Sequence, residues 1–386
     1  MKTAVIFESS PFDRKGLFNA VHNRLLHLRS TSQVQMDVYC VHSRDNAFTR
    51  AVRRTPVTPD VESVYIESIE YKMLWYRFSI TDHLILEKLH HHPPQFLKFL
   101  KKKVRMLKDY DLVIAHSFTG ALFAYAAYLK YGVPYFVTWH GSDIHTHPRR
   151  NPIILEDIRV LMKSAECNFF VSKALLAESE RIVTGVPKEV LSNGVSDAFV
   201  RFSAERRSKL RSKWGMAQDE KVVAFVGNLS TVKNVLVLPE IFKAVSDKYN
   251  GPVQFLIAGD GKLRRKLEDS VSHMNMAVSF LGNVPSEKMP EVMNCIDVLV
   301  LPSLNEGLPL VCAEALRCGA NVVGSASGGI PEVIGQKNTF LLGDSFVEDI
   351  SDRIVTMLSS KVTQTIPEEL DWSVTAAKEL AAISQL

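Results

Sequence analysis

The chain lacks most of what marks a secreted, zinc-bound or membrane-spanning protein. Its 386 residues hold five cysteines, an odd number, with no Cys-x-x-Cys spacing. That fits a reducing compartment and argues against a structural zinc site. Cys167, Cys295 and Cys312 fall inside apolar runs, so buried thiols in a reducing, cytoplasmic compartment are expected. No apolar run approaches the roughly 20 residues of a spanning helix. The opening Met-Lys-Thr-Ala-Val-Ile-Phe meets Glu8 too early for a signal peptide. A net charge of +4 is too small to imply nucleic-acid binding. Neither a Walker A sequence nor a Gly-x-Gly-x-x-Gly fingerprint is present, so two common phosphate-binding loops are excluded.

What is present is alternation. The length favours two domains. Short apolar, β-branched runs read as strands at Ala4–Phe7, Val34–Val41, Asp111–Ala115, Tyr135–Trp139 and Asn168–Ser172. Val64–Glu67 is a weaker strand. Charged, helix-prone residues 198–220 read as a linker, after which the pattern restarts. Strands follow at Val222–Val226, Gln254–Ala258, Val278–Leu281, Ile296–Leu301, Asn321–Gly324 and Phe340–Leu341, with helical stretches between them. Strand-helix alternation in both halves predicts two doubly wound α/β domains, with ligands at the strand-to-helix loops.

The most informative stretch is Pro302-Ser-Leu-Asn-Glu-Gly-Leu-Pro-Leu-Val-Cys-Ala-Glu314. Pro302 and Ser303 stop a buried strand. Pro309 suits the first turn of a helix, and Leu310, Ala313 and Leu316 continue at helical spacing to Gly319. Glu306 therefore lies in the loop, and Glu314 lies five residues after Pro309, about 7.5 Å along the helix. The helix start suits a phosphate, and Gly307 lets a ligand approach the backbone. A carboxylate there is tolerable if it faces hydroxyl groups of the same ligand. The pattern fits a ligand with both phosphates and sugars. It also fits a helix-start glutamate followed by a solvated one. A second signal is His140-Gly-Ser-Asp-Ile-His145, which presents His140 at a strand's carboxyl end. A histidine satisfied within a turn would read the same way.

The Glu306-x7-Glu314 pair, with Gly307 and Pro309 between, resembles the retaining glycosyltransferases of the GT-B fold, family 4 type. The resemblance extends over nearly the whole chain. It includes His140-Gly141 with Asp143, the Asn193-Gly-Val195 segment, and Gly227-Asn-Leu-Ser-Thr-Val-Lys233. It implies an acceptor domain over residues 1–200 and a nucleotide-sugar domain over 201–367. A last segment, 368–386, would cross back onto the first domain. It implies a cytoplasmic hexosyltransferase that moves a sugar from a nucleotide-diphosphate sugar to a glycan or lipid-linked glycan. A role in bacterial surface polysaccharide or lipopolysaccharide assembly is expected, with no metal and no cofactor beyond the donor.

By resemblance His140, Lys233 and Glu306 carry the reaction. His140 contacts the donor sugar, Lys233 the diphosphate and Glu306 the sugar hydroxyls. Gly16, Gly227, Asn228, Val284, Gly307, Leu308, Pro309 and Glu314 line the donor site, with Glu314 toward the ribose. The backbone of Gly282-Asn-Val-Pro285 would hold the base. Two departures stand out. Asn228 replaces the arginine usual in the family, and the loop Glu8–Leu17, with Arg14 and Lys15, has only Gly16 where two glycines are common. No side chain stands out as a covalent nucleophile, and no Asp-x-Asp metal motif is evident. A nucleotide-sugar epimerase on the same fold, or a binding protein without activity, are the rival readings.

The resemblance is weakest over residues 43–108, expected to contact the acceptor, and within them the stretch Lys72–Leu107 is unusual. Trp75, Tyr76 and Phe78 lead to His90-His-His-Pro-Pro, read as a polar loop rather than a metal site. Phe96, Leu100, Val104 and Leu107 then share a helical face amid basic residues up to Lys108, with no acid. This is either a domain helix with a solvated basic face or a helix lying on an anionic membrane. The basic excess is in this half: residues 1–200 hold 26 basic and 20 acidic side chains, the remainder 20 and 22.

Overall fold

The computed structural model describes every residue except 13–15, 32–33, 54–56, 58, 275–277 and 361. Arg14 and Lys15 of the first loop therefore lie outside the described residues. The chain divides into two compact units. One comprises Met1–Asn193 with Trp372–Leu386, the other Gly194–Asp371.

The first unit is built on β1 (Lys2–Glu8), β2 (Gln35–Asp45), β3 (Ser63–Ile66), β4 (Ile69–Phe78), β5 (Leu112–His116), β6 (Tyr135–Trp139), β7 (Cys167–Phe170) and β8 (Lys188–Val190). They form one sheet in the order β3-β4-β2-β1-β5-β6-β7-β8, parallel except where β3 pairs with β4. A parallel sheet covered on both faces needs continuous apolar strands. Ala4–Phe7 and the whole of β5 and β6 are accordingly buried. The helix Ser117–Tyr131 packs very close to β1: a Cβ on Gly120 would stand 2.4 Å from the Ile6 carbonyl oxygen.

The stretch from 69 to 78, read only as an aromatic lead-in, is the strand β4. Tyr71, Met73 and Tyr76 are buried, while Lys72 and Arg77 are more exposed. Its aromatics are partly core. Tyr76 packs on Phe78, Phe96 and Phe99 beneath the helix Pro94–Lys103. Trp75 is stacked with Phe12 and donates to the Val61 carbonyl at 2.7 Å. His92 pairs with Asp157 at 2.6 Å.

The second unit carries β9 (Lys221–Val226), β10 (Val253–Ala258), β11 (Val278–Gly282), β12 (Val298–Leu301), β13 (Asn321–Ser325) and β14 (Thr339–Phe340). Their order is β11-β10-β9-β12-β13-β14, all parallel. Residues 198–220 are not a free linker. The helix Ala204–Lys213 belongs to this unit, held by Arg207 and Arg211 on Asp297 at 2.8 and 2.6 Å. Arg211 also donates to the carbonyls of Glu220 and Cys295, so its charge is satisfied although it is buried. Asp297 in turn accepts from the Val222 N–H at the start of β9. All five cysteines are buried free thiols.

The final helix, Trp372–Ile383, packs on the helix Gly16–Thr31 within the first unit. Its anchor is a fully buried ion pair, Arg24 to Glu379 at 2.5 Å, with Arg24 also donating to Thr138. One guanidinium nitrogen, Nη2, and one carboxylate oxygen, Oε1, of the pair have no partner among the described residues. A buried pair of this kind adds little net stability, but removing one partner leaves an uncompensated buried charge. Glu379→Ala is therefore expected to destabilise the first unit by about 3–5 kcal/mol in urea unfolding. Arg24→Met with Glu379→Leu should recover most of the loss. An unchanged midpoint for Glu379→Ala would show that the pair does not hold the helix.

Candidate functional site

In the second sheet the strand order reverses between β9 and β12, the position where open α/β sheets bind ligands. Both loops at that point carry sequence-predicted residues. Lys233 follows β9 and Glu306 follows β12. The two meet: Lys233 Nζ donates to Glu306 Oε1 at 2.6 Å, with both side chains largely shielded from solvent. The backbone brings them together. Leu304 N–H donates to the Val232 carbonyl at 2.8 Å, joining the two loops. Gly329 N–H donates to the Glu306 carbonyl at 3.1 Å, joining the loop after β13. Gly328, at φ 54°, fits there because a Cβ would stand 2.1 Å from that same carbonyl oxygen. Asn234 turns the chain after Lys233 at φ 51°, a conformation asparagine tolerates better than most residues.

Beyond Glu306, Gly307 and Leu308 are partly exposed and their N–H groups donate to no backbone carbonyl among the described residues. The helix Leu310–Arg317 starts one residue later than expected, with Pro309 as its preceding residue. Free N–H groups and the helix dipole give this corner a positive character. Glu314 lies inside that helix, half-buried; its backbone carbonyl accepts from the Cys318 N–H, but its carboxylate makes no hydrogen bond among the described residues. Burial pushes its carboxyl up to about 7. A carboxyl with no internal partner and a raised proton affinity can accept hydroxyl hydrogen bonds from a ligand.

Gly227 follows β9, with the Lys233 side chain packed beside it. Asn228 is exposed, and its side chain lies against Gly261 in the loop after β10. It places no cation near Lys233. Arg264, which opens the helix Arg264–His273 after that loop, is tied to Asp260 and Glu268 at 3.2 and 2.8 Å. Val284 is half-buried against the core beyond β11.

The first unit holds His140 and Gly16. Gly16 opens the helix Gly16–Thr31 and is exposed. His140 follows β6. Its backbone N–H donates to Asp143 Oδ2 at 3.4 Å, and the same carboxylate takes the Phe118 N–H at 3.3 Å. His140 Nε2 is 3.1 Å from His116 Nδ1 at the end of β5. Burial first, and the Arg24 charge second, push His140 down to about 3 and His116 well below its usual value. Beside them, Glu8 at the end of β1 accepts from the hydroxyls of Ser43 and Thr119. Sequence reading missed His116 and Glu8. The signal available was position, since both close strands flanking the order reversal between β1 and β5.

The chain does contain one Asp-x-Asp tripeptide, Asp109-Tyr110-Asp111, which corrects the expectation of none. It precedes β5, at the amino end of the strand, away from the loops just described. Asp111 accepts from the Lys2 backbone N–H, and Tyr110 donates to Asp37.

Known proteins resemble this chain along most of its length. A model described as "Glycosyltransferase Family 4" matches residues 21–199, and one described as "Glycosyl transferases group 1" matches 206–377. TuaC of Bacillus subtilis, named provisionally as a teichuronic acid biosynthesis glycosyltransferase, is 25% identical over 58% of this chain and 54% of its own. The N-acetyl-alpha-D-glucosaminyl L-malate synthase of Bacillus anthracis is 26% identical over 70% of this chain and 71% of its own. The chain thus spans about half to seven-tenths of these relatives' lengths. The crystal structure of Anabaena Alr3699/HepE in complex with UDP and glucose matches with a TM-score of 0.74 at 17% identity, over 99% of this chain and 100% of that one.

Glu314 has a signature in stability. Its folded proton affinity is raised, so between its ordinary value and about 7 the folded state binds more protons than the unfolded state. Stability then falls as pH rises through that window. Glu314→Gln should gain stability relative to wild type from pH 5 to 7.5 in thermal melts. Parallel melting curves across that range would show that Glu314 titrates normally.

Proposed function

Because the chain belongs to the group 1 glycosyltransferases of the GT-B fold, we propose that it moves a sugar from a nucleotide-diphosphate sugar to a glycan or lipid-linked glycan acceptor. The observation that carries this reading is the Lys233–Glu306 pair at the order reversal of the second sheet. Cleaving a sugar–phosphate bond builds negative charge on the leaving diphosphate and positive charge at the anomeric carbon. Lys233 and the N–H groups of Gly307 and Leu308 meet the first. Glu306, already bonded to Lys233, turns its remaining lone pairs to the sugar hydroxyls. Glu314 accepts from the ribose, Gly227 lets the diphosphate approach, and Val284 borders the base.

His140 contacts the donor sugar and remains neutral at physiological pH, so it hydrogen-bonds rather than shuttles protons. Transfer retains the anomeric configuration: the acceptor attacks from the face the diphosphate leaves, and a departing phosphate oxygen takes its proton. No metal is required in this scheme, since Lys233 and the backbone N–H groups carry the charge. No cofactor is needed beyond the donor. Asn228 leaves Lys233 as the cation of its loop, so the reaction depends on it more than where an arginine stands beside it. The Anabaena neighbour's complex with UDP and glucose makes UDP-sugars the first donors to try. Mass spectrometry of products from a nucleotide-sugar panel tests the reading. Lys233→Ala is expected to lower turnover by about 10²-fold or more. Near-normal turnover would remove Lys233 from the site.

We further propose a cytoplasmic protein that dwells on the inner leaflet during surface-polysaccharide or lipopolysaccharide assembly. No helix among the described residues is long and apolar enough to cross a membrane. On the helix Pro94–Lys103 and the turn after it, Lys98, Lys101, Lys102 and Arg105 are exposed and have no carboxylate partner among the described residues. Ile80, Leu84, Leu89 and Leu97 are exposed apolar neighbours in sequence. Each cation near an anionic surface contributes about 1 kcal/mol, weakening with salt. Changing those four basic residues to Gln should abolish co-sedimentation with anionic vesicles at low salt. Equal binding by the variant would mark the face as merely solvated.

A further inference from the structure

We infer that His116 is a positioning residue for His140, fixing which ring nitrogen of His140 carries the proton and thus which kind of hydrogen bond the other nitrogen offers a ligand. The inference rests on the proposed role of His140. His116 lies at the end of β5, fully buried, with its ring edge-on to Phe7. The two imidazoles meet through His116 Nδ1 and His140 Nε2 at 3.1 Å, with ring centroids 5.3 Å apart.

A neutral imidazole has one donor nitrogen and one acceptor nitrogen. Across this contact one ring must donate and the other accept. If His116 Nδ1 donates, His140 accepts at Nε2 and carries its own proton on Nδ1. If His140 Nε2 donates, His116 accepts at Nδ1 and carries its proton on Nε2. In either case both rings hold the proton on the like-named nitrogen. The surroundings favour neutrality. Burial and the Arg24 guanidinium disfavour a charge on either ring. Glu8 is engaged by two hydroxyls, and Asp143 by two backbone N–H groups. His147 is the further titratable group acting on Asp143.

The ring of His140 is therefore held by His116 while its backbone is held by Asp143. Asp143 also takes the Phe118 N–H at the start of the next helix, so one carboxylate joins the loops that bear the two histidines. Among the described residues His140 Nδ1 makes no hydrogen bond, so it is the ring nitrogen left for a ligand. A group oriented this way loses little freedom when the donor sugar binds. Deleting its partner would let the ring flip and its proton move.

Ring ¹⁵N spectra of histidine-labelled protein test this without a substrate. His116 and His140 should each show one neutral tautomer from pH 5 to 8, the same in both. Opposite tautomers, or a mixture in either ring, would overturn the inference. His116→Phe should give His140 mixed tautomers, whereas His116→Asn, whose amide reaches the Nδ1 position, should keep one. In turnover of UDP-glucose, His116→Phe should lower kcat about tenfold with little change in KM, and add nothing to His140→Ala. Equal losses in both backgrounds would mean that His116 does not act through His140. Full turnover by His140→Ala, or none of any nucleotide sugar by wild type, would remove the underlying reading and this inference with it.

Discussion

The second unit is organised around one charged contact, Lys233 on Glu306. It lies where the strand order turns back, so no neighbouring strand fills the space above it. Two carboxylates and one lysine near a helix start would be a poor arrangement for a bare anion. The pair resolves this. Glu306 holds the ammonium in place and is itself neutralised, and Glu314, with its raised proton affinity, adds less than a full negative charge near neutral pH. What remains is a corner with free backbone donors, one oriented cation and acceptors for hydroxyls. That combination suits a phosphate joined to sugars better than either group alone.

The first unit uses a different device. Its polar groups at the order reversal are buried or half-buried and bonded to their neighbours: Glu8 to hydroxyls, Asp143 to backbone N–H groups, His116 to His140. Burial is the main reason both imidazoles stay neutral, and Arg24, fixed by Glu379 from the final helix, adds a permanent charge that works in the same direction. The final helix thus contributes to the electrostatics of His140 as well as to packing. Low-dielectric surroundings make such a network rigid when satisfied and costly when broken.

Much of this is legible in the residues. β9 and β12 announce themselves as continuous apolar runs because both faces of a parallel sheet are covered there. Glu306, Glu314 and Lys233 are legible because glycine and proline punctuate their loops. β4 is not legible: Glu70, Lys72 and Arg77 interrupt it, and its aromatics suggest a surface. Residues 198–220 read as a linker because their charge gives no sign that Asp297 binds Arg207 and Arg211. His116 escapes because a lone histidine at a strand end has no local pattern, and its partner is 24 residues away. The missing cation at Asn228 is visible at once, whereas the neutralising pair that makes one lysine workable needs three dimensions.

In the proposed function the work within the charged pair is divided, Lys233 serving the diphosphate and Glu306 the sugar. Calorimetric titration of Lys233→Gln and Glu306→Gln with bare UDP and with UDP-glucose tests that division most directly. Lys233→Gln should weaken both ligands alike. Glu306→Gln should leave bare UDP within about twofold of wild type while weakening UDP-glucose by about tenfold, the cost of leaving buried hydroxyl contacts unmade. Equal weakening of both ligands by Glu306→Gln, or undiminished UDP binding by Lys233→Gln, would contradict it.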